Sequence, residues 1–116
     1  MGGVSTPGPP PIPQVNVEAL PADPTVLDVR EDDEWAAGHI EGAVHIPLSE
    51  LPARLPELPD ADRLVVACRG GGRSSRATAY LLQIGIEAAN LDGGMQAWSA
   101  AGRPMVSESG SPPPVI

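Results

Sequence analysis

Lysine and phenylalanine are missing from this sequence altogether, and cysteine occurs once. One cysteine cannot close an internal disulfide, and one cysteine with two histidines cannot complete a tetrahedral zinc set. No metal site is expected. With lysine absent, seven arginines face 15 acidic residues, for a net charge of −8. That balance argues against nucleic acid as a partner, because phosphate backbones are held by basic patches. No apolar run approaches the ~18 residues of a membrane span, and the N-terminus lacks the basic start and apolar stretch of a signal peptide. A cytoplasmic protein, kept dispersed by its own negative charge, is the expectation.

Glycine and proline are plentiful instead, at 13 and 15 residues, and they gather at the ends. Residues 1–13 (MGGVSTPGPPPIP) and 107–116 (SESGSPPPVI) hold too little apolar surface to offset the entropy of ordering. Both read as disordered tails. Residues 14–106 then form one domain, of a size that buries roughly 60–65% of its unfolded surface and folds without staples.

Within the domain, short apolar runs alternate with helical segments. TVLDV (25–29), AVHI (43–46), RLVVA (63–67) and EAANL (87–91) read as strands. RLVVA is the strongest, an apolar run of the kind buried on both faces of a parallel sheet. EDDEWAAG reads as a short acidic helix ending at Gly38, Ser49 as the cap of SELPARL, and GGMQAWSAAG as a last helical turn. Ala77, Tyr80, Leu81 and Ile84 repeat at helical spacing until Gly85 stops the pattern. This alternation predicts an α/β fold with a mostly parallel sheet.

The chemistry concentrates in Cys68-Arg69-Gly70-Gly71-Gly72-Arg73-Ser74-Ser75, between the best strand and the best helix. In open α/β sheets, ligands bind at the carboxyl ends of strands. Consecutive glycines let the backbone take left-handed angles and curl its N–H groups inward into an anion nest. The helix start adds free N–H groups and positive dipole, and Arg69, Arg73 and Arg76 add charge. All of these favour an anionic sulfur on Cys68. A free thiol titrates at about 8.5, and such surroundings lower it to roughly 3.5–7.5, so the thiolate is a nucleophile that needs no separate base. A lone cysteine is most often a buried structural residue; the glycine run, the arginines and the helix start weigh against that reading here. A phosphate-binding P-loop would end in a lysine, which the chain does not have.

CRGGGRS resembles the active-site loop of the rhodanese (thiosulfate sulfurtransferase) family, with Gly71 and Arg73 three and five places after the cysteine. LDVREDDEWAAGHIEGAVHIPLSEL is similar to the family's first signature at Asp28, Arg30, Glu34, Gly38, His39, Ile40, Gly42, Ala43 and Pro47. LDGGMQAWSAAGRPM is similar to its closing segment through Gly93, Gly94, Trp98 and Gly102. The resemblance implies a three-layer α/β fold, with a central five-stranded parallel sheet and helices on both faces. It also implies a cycle: Cys68 takes the outer sulfur of a donor such as thiosulfate as a transient persulfide, then yields it to cyanide or a thiol. No other cofactor is implied. By the same resemblance, the amides of Arg69, Gly70, Gly71, Gly72, Arg73 and Ser74 hold the persulfide, Arg69 greets the donor, and Arg73 braces the loop or presents charge. Ala67 departs from the aromatic residue that many relatives carry before the cysteine.

Asp28 and Arg30 close the first strand and are expected to support the site by an ion pair or a bond to the loop. His39 is read as a turn anchor, His45 as a packed ring, and Trp35 and Trp98 as core side chains. Three rival functions arise. Related cysteine phosphatases and arsenate reductases place five residues between Cys and Arg, whereas here there are four, Arg69 to Gly72. Rhodanese-like docking or regulatory modules usually lack the nucleophile, which this chain retains. A relay delivering sulfur to an acceptor protein is a refinement of the first reading.

Overall fold

The computed structural model describes residues 11–108 and 114–116. Five strands form one sheet: β1 (Gln14–Val15), β2 (Val26–Asp28), β3 (Val44–His45), β4 (Leu64–Ala67) and β5 (Ala88–Leu91). They lie in the order β1-β5-β4-β2-β3, and every pairing among them is parallel. Among the described residues the α-helices are α1 (Asp32–Ala37), α2 (Gly72–Gln83) and α3 (Gly94–Ala100). The expected α/β class and five-stranded parallel sheet are both observed.

Strand alternation divides the core into two layers, since successive side chains point to opposite faces. Leu64, Val66 and Cys68 pack with Ala77 and Leu81 of α2 and with Leu51. Val65 and Ala67 pack with Met95 and Trp98 of α3. Helices therefore cover both faces, and β4, the middle strand, is buried along its whole length. That explains why its sequence is an unbroken apolar run. β1 was not legible, because two residues, one of them glutamine, carry no periodicity.

Several expectations are corrected. Ser49 lies inside a 3₁₀ turn (Leu48–Ala53) whose N-cap is Pro47, with no side-chain cap. Pro52, inside this turn, lacks the N–H that an α-helix would donate to the Leu48 carbonyl. On α2 the buried stripe is Ser74, Ala77, Thr78 and Leu81, while Ile84 is 44% exposed at the helix end. The face turned inward is thus half polar, which matters for the site. Trp98 is buried as expected, but Trp35 is only half-buried. The six-residue α1 buries none of its residues. Trp35 stacks instead between His39 and His45, with ring centroids 3.6 and 4.7 Å away.

Residues 1–10 and 109–113 of the two expected tails lie outside the described residues. Within the described part, the Pro13 carbonyl accepts from Asn90 N, and Glu108 N donates to the Ala36 carbonyl at 3.1 Å. Val115 packs against the α3-side core. Backbone contacts therefore continue on both sides of the 14–106 boundaries. No helix among the described residues is long and apolar enough to cross a membrane.

Candidate active site

Cys68 follows directly on β4, at the carboxyl end of the middle strand, and is 1% exposed. The chain then turns through Gly71, the α2 N-cap, at φ +112°. Of the three consecutive glycines, only Gly71 takes the left-handed region. Gly72 is already helical, and a methyl there would meet nothing within 4 Å. One reversal is enough to turn the loop. It aims Gly71 N at Cys68 Sγ, 3.0 Å away, while Ser74 Oγ lies 3.2 Å from the same sulfur.

The two peptide units between Cys68 and Gly70 are held from outside by α3. Met95 N donates to the Cys68 carbonyl at 2.8 Å, and Gln96 N to the Arg69 carbonyl at 3.0 Å. These are free donors of a helix start, used to pin the loop's carbonyls away from the sulfur. The close approach requires Gly94, at φ +58°: a methyl there would collide with both carbonyl oxygens. The start of α3 thus holds the loop's carbonyls while the Gly71 amide, at the start of α2, faces the sulfur.

Burial on its own would raise the Cys68 thiol. The Ser74 hydroxyl and the backbone amides of Ser74, Gly71 and Gly70 outweigh it and hold the thiol below its ordinary value. Of the six loop residues expected to face the sulfur, Gly71 does so through its amide and Ser74 through its hydroxyl.

Arg73 meets Glu34 of α1 in a two-point ion pair, and the bonded, partly buried Glu34 is held down to about 2. Glu34 also accepts from Glu31 N, completing a capping box at the start of α1. The acidic run of α1 therefore serves the loop as well as its own helix. Arg69 is exposed, and its Nε donates to the Ile116 carbonyl at 3.1 Å. Arg76 is exposed on α2.

Asp28 and Arg30 pair with each other, Nη2 to Oδ2 at 2.7 Å, and both are buried. Arg30 Nη2 also reaches the Gly38 carbonyl at 2.8 Å. Its Nη1 has no hydrogen-bond partner among the described residues. The pair thus ties the end of β2 to the end of α1, beside the strand that carries Cys68. His39 Nδ1 bonds the Trp35 carbonyl at 2.7 Å and anchors the turn; His45 Nε2 bonds the Arg30 carbonyl. Among the described residues, no cluster of His, Cys, Asp or Glu is placed to hold a metal ion.

Sequence reasoning did not foresee Asn90, which is 3% exposed on β5. Its Oδ1 lies 2.5 Å from Ser74 Oγ, and its Nδ2 donates to Gln14 Oε1. A polar residue within EAANL was visible; its partners, 16 and 76 residues away, were not.

The comparisons agree with this geometry. The family described as Rhodanese-like domain matches residues 14–101. A protein named sulfurtransferase from Allochromatium vinosum is 39% identical over 89 residues, 76% of this chain and 83% of that one. Thiosulfate sulfurtransferase 16, chloroplastic, of Arabidopsis thaliana is 34% identical over 91 residues, covering 67% of this chain and 76% of its own. The crystal structure of a rhodanese-related protein from Thermoplasma volcanium superposes with a TM-score of 0.75 at 35% identity, over 81% of this chain and 97% of that chain. A cysteine loop on the middle strand, a family match across nearly all of the domain and a shared backbone converge on one assignment: the chain belongs to the rhodanese-like domain family.

Proposed function

We propose that this protein is a sulfurtransferase, moving sulfane sulfur from thiosulfate or a persulfide donor to a thiophilic acceptor through a persulfide on Cys68. The observation that carries this reading is the Cys68 sulfur itself, faced by the Gly71 amide at 3.0 Å and the Ser74 hydroxyl at 3.2 Å. These donors favour a thiolate, which is the nucleophilic form. The thiolate attacks the outer sulfur of thiosulfate, and that S–S bond breaks with its electron pair leaving on sulfite. Cys68 then holds one extra sulfur, terminally anionic and faced by the positive end of α2. Attack by cyanide or a thiolate on the terminal sulfur breaks the new S–S bond. Thiocyanate or an acceptor persulfide departs, and the Cys68 thiolate returns.

The persulfide is the only carrier the cycle requires. Small anions and thiols suit a sulfur so little exposed, and a bulky aryl phosphate does not. An acceptor protein presenting a cysteine at the loop is compatible with the same chemistry, and a cytoplasmic setting would supply reduced thiols.

Intact-protein mass measurement after brief thiosulfate treatment tests the proposal. One added sulfur, removed by cyanide, is the expected result. An unmodified mass in folded protein with a free thiol would turn the reading toward a docking module.

A further inference from the structure

Ser74 has one hydroxyl hydrogen and two acceptors in range: Cys68 Sγ at 3.2 Å and Asn90 Oδ1 at 2.5 Å. It can satisfy only one at a time. Asn90 lies on the α2 side of β5, in a fully buried strand whose other residues are Ala88, Ala89 and Leu91. An amide buried there is costly unless its polar atoms are bonded. They are: Nδ2 donates at 2.8 Å to Gln14 Oε1, and Gln14 is exposed on the edge strand β1. A continuous row, Cys68–Ser74–Asn90–Gln14, thus runs from the buried sulfur to the protein surface. Each member after the sulfur can act as donor or acceptor, and a primary amide exchanges the two by turning over.

We propose that Asn90 is a positioning residue for the sulfur chemistry: its amide accepts the Ser74 hydrogen while Cys68 is a neutral thiol, and turns to donate to Ser74 Oγ when Cys68 is a thiolate. This rests on Cys68 being the sulfur carrier. In the neutral arrangement the thiol S–H points to Ser74 Oγ, the hydroxyl to Asn90 Oδ1, and Asn90 Nδ2 to Gln14. In the anionic arrangement Gln14 Nε2 donates to Asn90 Oδ1, Asn90 Nδ2 to Ser74 Oγ, and Ser74 to the sulfur. No covalent bond forms or breaks within the row, and the thiol proton leaves to solvent. Hydrogen bonds aligned in one direction polarise one another, so the anionic row supports the charge more strongly than Ser74 alone. The thiolate is the nucleophile of the first step and the leaving group of the second, so both steps gain. Gln14 turns freely because it is exposed, which lets the buried amide turn without losing its partner.

The test is the pH dependence of Cys68 alkylation by iodoacetamide in Asn90→Leu, Asn90→Asp and wild type, each with Ser74 intact and with Ser74→Ala. Leucine keeps the branched skeleton of asparagine and removes both functions; aspartate keeps the size and shape and, ionised, only accepts. With Ser74 present, Asn90→Leu should move the alkylation midpoint upward, with a loss of about three- to tenfold in rate at pH values below it. Asn90→Asp should move it in the same direction. With Ser74→Ala, the leucine substitution should leave the midpoint where that background puts it. A purely structural role would shift thermal stability and leave the midpoint in place. An unchanged midpoint in folded Asn90→Leu overturns the proposal, as does an equal shift in both backgrounds. Should the leucine variant not fold, an equal Asn90→Asp shift in both backgrounds does the same, because the repulsion of the new carboxylate acts with or without the Ser74 hydroxyl. Alkylation requires no sulfur transfer, so a failed shift leaves the proposed activity standing, and failure of that activity leaves the alkylation result readable.

Discussion

Arg73 and Glu34 face each other in a fork-to-fork ion pair, Nη1 to Oε1 at 2.7 Å and Nη2 to Oε2 at 2.8 Å, joining the active loop to α1 across 39 residues of sequence. Two parallel bonds fix the guanidinium plane as well as its position. Arg73 thereby braces the start of α2.

Replacing Glu34 with glutamine should loosen this brace. The Glu34 carboxyl is held at about 2 against an ordinary 4.5, chiefly by its bonds to Arg73. A depressed acid contributes stability in full above its unfolded value, and loses it as pH falls toward the folded one. At pH 7 the variant should be less stable by about 1–2 kcal/mol, a figure reduced from the full shift because Arg73 is a third exposed. Denaturant titrations from pH 7 to 2 should show the two proteins converging at the acid end. A constant difference across that range contradicts the pairing.

The Cys68 thiol should alkylate with a midpoint below that of an unperturbed cysteine, about 8.5. The sign follows from the loop: the Ser74 hydroxyl and three amides support the anion and overcome the opposing effect of burial. Stopped-flow alkylation against pH measures it, and a midpoint at or above the free value refutes the anion nest. Cys68→Ser should reduce thiosulfate:cyanide sulfur transfer by at least about 10³-fold, since serine is not ionised near neutral pH.

The loop glycines should respond unequally to alanine. Gly72→Ala adds a methyl in open space at a helical position and should be neutral or stabilising by up to about 1 kcal/mol. Gly71→Ala, at φ +112°, should cost about 1–2 kcal/mol. Gly94→Ala meets backbone oxygens that have nowhere to move, and should cost more than either. Thermal melts rank the three, and a Gly72→Ala variant as damaged as Gly94→Ala would be inconsistent with the observed loop.

The order of legibility follows the range of the interactions involved. RLVVA announced a fully buried middle strand because burial on both faces leaves a local mark, and the CRGGGRS loop announced a tight strand-to-helix turn because turn and helix start are local too. Gly71 was legible as a glycine that reverses the chain, although its two neighbours were credited with the same task. What escaped was every partner supplied from a distance. Glu34 looked like a helix-start charge, which it is, but its pairing with Arg73 is set by how α1 docks. Ser74 and Thr78 interrupt the apolar pattern of α2, and that pattern made Ile84 look like core when the polar residues in fact face inward. Gly93 and Gly94 carried a family resemblance without a reason; the reason at Gly94 is a contact with the carbonyls of Cys68 and Arg69, and at Gly93 it is the close approach of Ala97. Trp35 was assigned to the core on size alone, and its two histidine covers come from different elements.

The contact between α3 and the loop carbonyls has a temporal side. Cys68 emerges from the ribosome well before Asn90, Gly94, Met95 and Gln96, the residues that orient its surroundings. The loop carbonyls that α3 holds therefore find their partners only once the last helix has docked, so the complete surroundings of Cys68 belong to the finished fold and not to its first two thirds.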